Sequence, residues 1–188
     1  MNAELVAKEL SPSTWPDFHD LFRRHGGVWG GCWCMYYHIP QGWGKRTSKQ
    51  NREEKDMLVK TGKSHGVLMY YNGDPIGWCQ FGPREELPRI DRMRKYRAPE
   101  EEDFWRITCF FIDKRYRGKG VAREALRAAL RLMKKRGVKL VEAYPIDVRN
   151  RKYSSSNLWF GSLKLFEEFG FTKIGNIGKS NFIARKRL

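Results

Sequence analysis

Two short stretches of the chain carry residue types that could do chemistry. RYRGKGVA, residues 115–122, places Gly118 and Gly120 among Arg115, Arg117 and Lys119, just ahead of a one-faced helical pattern. Where a chain turns into a helix, the first backbone N–H groups lack carbonyl partners and the helix dipole adds partial positive charge. Such a turn is a ready anion site. Its glycines let a phosphate approach the backbone with no Cβ in the way, and its cations add longer-range attraction. The competing reading is an ordinary charged loop before an amphipathic helix. Two familiar phosphate motifs are missing: no Ser or Thr follows Lys119, and Arg123 stands where a dinucleotide fingerprint needs a glycine.

The second stretch, GGCWCMYYH, offers Cys32, Cys34 and His38 as metal ligands. A Cys-x-Cys pair falls short of the usual separation of about two to four residues, and no fourth ligand is evident nearby. No metal is expected. The aromatic residues there, Trp29, Trp33, Tyr36, Tyr37 and Trp43, could form a wall for an amine or cation, with core packing as the rival reading.

These stretches are positioned by a regular alternation of patterns. A strand is expected over residues 4–10, then a helix begun by Thr14 and Asp17 at capping-box spacing and stopped at Gly26-Gly27. A second helix starts at Thr47 or Ser48 and ends at Gly62; residues 67–71 and 76–81 then read as a hairpin around NGDP. A charged connection with room for a short helix leads to the aromatic strand 104–112. After the glycine turn, Val121, Ala122, Ala125, Leu126, Ala129, Leu130 and Met133 share one helical stripe, closed by Gly137. A strand over 138–144, a helix over 157–169 and two last strands complete the order β-α-α-β-β-β-α-β-α-β-β.

Composition sets the outer bounds. A chain of 188 residues with 40% hydrophobic content suits one α/β domain over residues 1–188. No apolar run approaches the roughly 20 residues of a membrane span, and the N-terminus lacks a signal-like apolar stretch. A cytoplasmic protein without membrane contact is expected, in keeping with cysteines too few and scattered for a disulfide scaffold. The net charge of +16 suits a polyanionic partner or a phosphorylated cofactor, and equally a solubility adaptation.

With the turn and the element order together, the chain resembles the GNAT superfamily of acetyl-coenzyme A-dependent N-acetyltransferases. The family signature Gln/Arg-x-x-Gly-x-Gly/Ala is met by Arg115-Tyr116-Arg117-Gly118-Lys119-Gly120. The resemblance implies a mostly antiparallel mixed sheet flanked by helices. It also implies that Arg115, Arg117, Gly118, Lys119, Gly120, Val121 and Ala122 cradle the coenzyme A pyrophosphate. The backbone of Phe110, Phe111 and Ile112 would pair with the pantetheine arm and polarise the acetyl carbonyl. In this family the region before the second helix shapes the acceptor pocket, which points to Trp29, Trp33, Tyr36 and Tyr37 as acceptor-binding residues.

The resemblance falters at the catalytic groups. An alkyl amine with a pKa of about 10.4 is protonated at neutral pH and needs a base or a desolvated site. Where many relatives carry a Glu on the strand before the turn, this chain has Arg106, which leaves Glu142 as the substitute base. Where relatives carry a Tyr in the last helix to protonate the thiolate, it has Phe166, with Trp159 and Ser162 replacing the accompanying Asn and Ala. Tyr144 is the substitute acid. The implied reaction is direct acetyl transfer to a small-molecule or protein amine in a ternary complex, and a homodimer is compatible with it. Two other readings stand beside it. One is a basic nucleic-acid- or ribosome-associated module, for which no helix-turn-helix, RNP-like or zinc-finger motif is present; the other is a coenzyme A-binding protein without chemistry.

Overall fold

A computed structural model describes residues 5–92, 103–149, 153, 158–177 and 180–188. The elements are β1 (Leu5–Glu9), α1 (Trp15–Arg23), α2 (Ser48–Lys60), β2 (His65–Tyr71), β3 (Asp74–Pro83), α3 (Arg89–Arg92), β4 (Trp105–Ile112), α4 (Val121–Lys135), β5 (Leu140–Ala143), α5 (Leu163–Glu168), β6 (Thr172–Asn176) and β7 (Phe182–Arg187). They build a mixed α/β fold around one 7-stranded sheet in the order β1-β2-β3-β4-β5-β7-β6. Every pairing is antiparallel except β4 with β5. None of the described helices is long and apolar enough to cross a membrane.

Both faces of the central strands are covered, so β2 and β3 read as near-continuous apolar runs. Side chains alternate across the sheet: Val67 and Met69 join the layer under α4, while Leu68 and Tyr70 join the layer under α1 and α2. The β2–β3 turn uses Asn72 at φ 51° and Gly73 at φ 84°, the two positive angles that a two-residue hairpin turn of native twist requires.

Two sequence expectations change at helix starts. Thr14 does not cap α1; its hydroxyl donates to the Glu9 carbonyl at 2.8 Å, and the Asp17 carboxylate accepts from the Tyr70 hydroxyl at 2.7 Å. Tertiary partners outbid the local box. The last helix is confined to Leu163–Glu168 and begins at a Ser162 cap, because residues 158–161 form a turn instead. Asn157, the expected first residue of that helix, lies outside the described residues.

The pairing of β4 with β5 is short. Trp105↔Val141, Arg106↔Glu142 and Ile107↔Ala143 are in register, and beyond them the strands part. Just below the fork, Arg106, Glu142 and Arg185 form a cross-strand row on β4, β5 and β7. Arg185 donates to Glu142 Oε2 at 2.8 Å, and the Tyr144 hydroxyl donates to Oε1 at 2.5 Å. Arg106, wholly buried, grips Asp91 of α3 through both terminal nitrogens at 2.9 and 2.6 Å and also donates to the Leu87 carbonyl at 3.0 Å. Arg106, at the position where the resemblance implied a glutamate, thus clamps α3 to the sheet.

Removing one partner of a buried pair strands the other charge, at a cost of about 3–5 kcal/mol. Asp91→Ala is expected to cost about 3 kcal/mol, the low end of that range because the Asp91 side chain keeps 26% exposure. Urea unfolding measures it. Desolvation opposes ionisation of Asp91, but the Arg106 bond and charge, followed by Arg84, hold its carboxyl below the ordinary value. Its contribution is therefore present above a pH of about 4 and lost as pH falls through the depressed folded value. Acidification across that window should destabilise the native protein more than Asp91→Ala.

Candidate functional site

The parting of β4 from β5 opens a cleft of about 1130 Å³. One wall is the upper half of β4 with the glycine turn and the first residues of α4; the other is the 158–162 segment. The third side is the loop between α1 and α2, from Val28 to Trp43.

The glycine turn lies at the cleft's edge. Asp113 caps it by accepting from the Arg115 backbone at 3.0 Å, and binds the Arg115 guanidinium at 2.8 Å. Arg117 Nε donates to the Ile112 carbonyl at 2.9 Å, which folds the turn back on β4. Gly118 and Gly120 have φ of 72° and 80°, and a Cβ built on either would meet no protein atom within 4 Å. Glycine is required there by backbone angle, and the space beside it is open. Unlike α2 and α5, which Thr47 and Ser162 cap, α4 starts with no side-chain cap, which leaves the amides of its first turn without a helical or side-chain capping partner, and its residues Val121, Ala122 and Arg123 line the cleft. These residues fit a phosphate-bearing cofactor.

The positions expected from sequence divide into those the fold brings to the cleft and those it does not. Phe110, Phe111, Ile112, Arg117, Gly118, Gly120, Val121 and Ala122 line it. Arg115 and Lys119 do not: the first is held by Asp113 and the second stands over the Tyr116 ring at 5.5 Å. The β4 edge carries a further difference. The Phe110 amide, expected to be open for the pantetheine arm, donates to the Trp159 carbonyl at 2.6 Å.

Trp29, Tyr36, Tyr37 and Trp43 line the cleft from the loop between α1 and α2, with Tyr36 edge-on to both Tyr37 and Trp43 at 5.0 and 5.1 Å. Trp33 is a correction. It is buried, stacks against Phe22 and His19, and donates from Nε1 to Ser48 Oγ at 2.9 Å, so it packs the loop onto α2 instead of facing the cleft. Gly31 allows that contact, since a Cβ there would fall 2.4 Å from Ser48.

Glu142 and Tyr144 are also outside the cleft lining. Both are buried, Glu142 just below the fork and Tyr144 one residue past the last β5 pair, with the Glu142 oxygens taken by Tyr144 and Arg185. Burial, then the Glu142 charge, pushes the Tyr144 hydroxyl well above its ordinary value. The geometry gives these two residues a structural role in place of the expected base and acid. Phe166 is buried too, edge-on to Phe110 and Phe171 in the layer under α4.

A polar cluster missed by sequence reasoning sits behind the cleft floor. Lys55 and Gln80 are fully buried next to His38, with Cys34 hydrogen-bonded to Gln80 at 2.9 Å. One signal was present: Asn51, Lys55 and Val59 recur every fourth residue, the spacing of a buried helix face. Among the described residues, no group of three or more His, Cys, Asp or Glu is arranged to hold a metal ion.

Comparison with known proteins bears on this geometry. A Bacillus subtilis (strain 168) spermine/spermidine N(1)-acetyltransferase is 28% identical over 111 residues, 59% of this chain, and the chain spans 61% of that protein's length. A solved mosquito arylalkylamine N-acetyltransferase like 5b superposes with a TM-score of 0.60 at 15% identity, covering 98% of this chain and 100% of its own. A ribosomal-protein-S5-alanine acetyltransferase from Vibrio fischeri does so at 0.56 and 15%, covering 97% and 92%. At such identities the two structures show a shared fold. Residues 15–171 match the acetyltransferase (GNAT) family as a whole. That span runs from the start of α1 to the residue before β6 and takes in the glycine turn, the 158–162 segment and the loop between α1 and α2, so the chain belongs to the GNAT family.

Proposed function

We propose that this protein transfers the acetyl group of acetyl-coenzyme A to a primary amine by direct attack, with both substrates held in the cleft. The observation that carries the reading is the uncapped start of α4, set beside Gly118 and Gly120 at the edge of the opening between β4 and β5. Acetyl-coenzyme A would supply the activated acyl group as a thioester. The amides of Val121 and Ala122 would hold its pyrophosphate, reinforced by the helix dipole and by the Arg117 and Arg123 charges.

Support for an amine acceptor comes from the relative that acts on spermine or spermidine, and from the aromatic side of the cleft. Ring faces attract an ammonium group by about 0.5–2 kcal/mol each when desolvated. The edge of β4 can hold the donor's arm along Phe110 once Trp159 releases the amide, so the 158–161 turn is the part expected to shift on binding.

Two measurements test this. Isothermal calorimetry with acetyl-coenzyme A should show binding, and absence of heat at millimolar concentration would sink the proposal. Gly120→Ala should weaken that binding about tenfold or more, since the added methyl enters the space beside the turn and the left-handed angle costs roughly 1–2 kcal/mol. Separately, Glu142→Gln should lower the unfolding temperature yet leave the pH–rate profile with its original acidic limb. A displaced limb would return Glu142 to the role of base.

A further inference from the structure

Three thiols, Cys32, Cys34 and Cys109, line the cleft on its acceptor side, and the holding of a donor phosphate uses none of them. Behind them Lys55 of α2 is completely buried. The ion pairs along α2 engage Arg46, Lys49, Arg52 and Lys60 instead; among the described residues, no carboxylate comes within ion-pair distance of Lys55. Its Nζ lies 3.3 Å from His38 Nε2 and stands 5.6 and 5.8 Å from the ring centres of Trp78 and Phe18.

His38 cannot balance that charge. Its Nδ1 donates to the Glu86 carbonyl at 2.8 Å, which leaves Nε2 to accept from Gln80 Nε2 at 2.8 Å and from Lys55. Burial and then the Lys55 charge keep this imidazole neutral. A buried ammonium with only neutral partners costs several kcal/mol, on the order of the desolvation penalty of one ion. Of the nearby groups able to carry a negative charge, the Glu86 carboxylate lies against His65, beyond ion-pair distance of Lys55, and the others are sulfur atoms.

Among them Cys34 is singled out. Its Sγ accepts from Trp78 Nε1 at 3.1 Å and from the Cys109 thiol, while the 2.9 Å contact with Gln80 Oε1 serves its protonated form. Burial would raise the Cys34 thiol, but the Cys109 bond, the Lys55 charge and the Trp78 N–H together bring it below the ordinary value. The other thiols facing it move the opposite way: burial pushes Cys32 up to about 12 and raises Cys79, and the bond to Cys34 leads the rise of Cys109. Burial pulls Lys55 down to about 8 against the opposing pull of Cys34, then Cys109, Cys32 and Glu86. The backbone of Cys34 is held at φ 56°, a left-handed angle, with its carbonyl accepting from Gln80 Nε2 at 3.1 Å.

We propose that Cys34, as a thiolate paired with the buried Lys55 ammonium, is the proton acceptor for the attacking amine. The proposal rests on the acetyl-transfer reading. An N–H bond of the bound ammonium breaks as an Sγ–H bond forms on Cys34. The freed nitrogen lone pair then bonds to the acyl carbon, the carbon–sulfur bond of the thioester breaks, and the departing thiolate takes up the nitrogen's next proton. Cys34 returns its own proton to solvent before the following turnover. With only 3% of Cys34 exposed, and Trp78 and Cys109 against the sulfur, the opening suits a proton and excludes an acyl group. The rival imidazole, His25, lies at the other end of the cleft, 3.4 Å from Asp113.

The test combines thiolate absorbance at 240 nm, titrated in the native protein and in Cys34→Ser, with pH–rate profiles for both. One thiolate should titrate below the usual thiol range, disappear in Cys34→Ser, and coincide with the acidic limb of kcat/KM. Cys34→Ser should lose about 100-fold or more in kcat while its calorimetric affinity for acetyl-coenzyme A stays unchanged. In Lys55→Met the thiolate titration and the limb should both move to higher pH. If that variant does not fold, the pH dependence of Cys34 alkylation by iodoacetamide in the native protein, read by mass spectrometry, reports the same titration. An unmoved limb in Cys34→Ser overturns the proposal, as does an acetyl adduct on Cys34 formed without amine. A protein that shows the thiolate but binds no acetyl-coenzyme A would mark the failure of the acetyl-transfer reading and not of the Cys34–Lys55 pair.

Discussion

The parallel contact between β4 and β5 holds for the pairs Trp105↔Val141, Arg106↔Glu142 and Ile107↔Ala143, then ends while β4 continues to Ile112. Backbone donors and acceptors left along the upper β4 must be satisfied by something other than a strand, because an unpaired buried amide costs about as much as a lost hydrogen bond. Part of that demand is met by the Trp159 carbonyl on Phe110 and by Arg117 on Ile112. The same parting leaves the start of α4 facing a cavity instead of a neighbouring strand. The open β4 edge and the place of the glycine turn beside the cleft both follow from one interrupted ladder.

Below the fork a row of charged side chains crosses the paired strands. Arg106, Glu142 and Arg185 alternate in sign across β4, β5 and β7, with Asp91 and Tyr144 completing the set, and the ring of Phe104 lies 5.1 Å from the guanidiniums of both Arg106 and Arg185. Each member is already hydrogen-bonded, which rigidifies the base of the cleft. The position that carries a glutamate in many relatives is spent here on anchoring α3. On the opposite side of the cleft Lys55 sits buried near the Cys34 sulfur, with no carboxylate within ion-pair distance of it among the described residues.

Much of the fold was legible along the chain because its signals are local. The stripe from Val121 to Met133, the Thr47 cap with Gln50, the Asn72-Gly73 turn and the Gly118/Gly120 pair each depend on neighbours within a few residues, and each forms as its pattern requires. The glycine turn also had to lie where β4 ends, which the order of strand and helix already implied. Thr14 and the 157–169 helix misled because longer-range partners, the Glu9 carbonyl and the β4 edge, took groups that the local pattern had assigned elsewhere.

By itself the sequence determined the family turn, the mixed sheet and the absence of the usual base and acid, since those are matters of residue type and short spacing. Only the tertiary structure decided which side chains meet in the cleft. Glu142 and Tyr144 point into a charge row, Trp33 into the core, and Lys55 comes from α2 to stand behind Cys34 and Cys109. The reason is physical: the protonation state of a buried lysine or thiol depends on desolvation and on charges contributed by distant segments, and neither has any trace in local spacing.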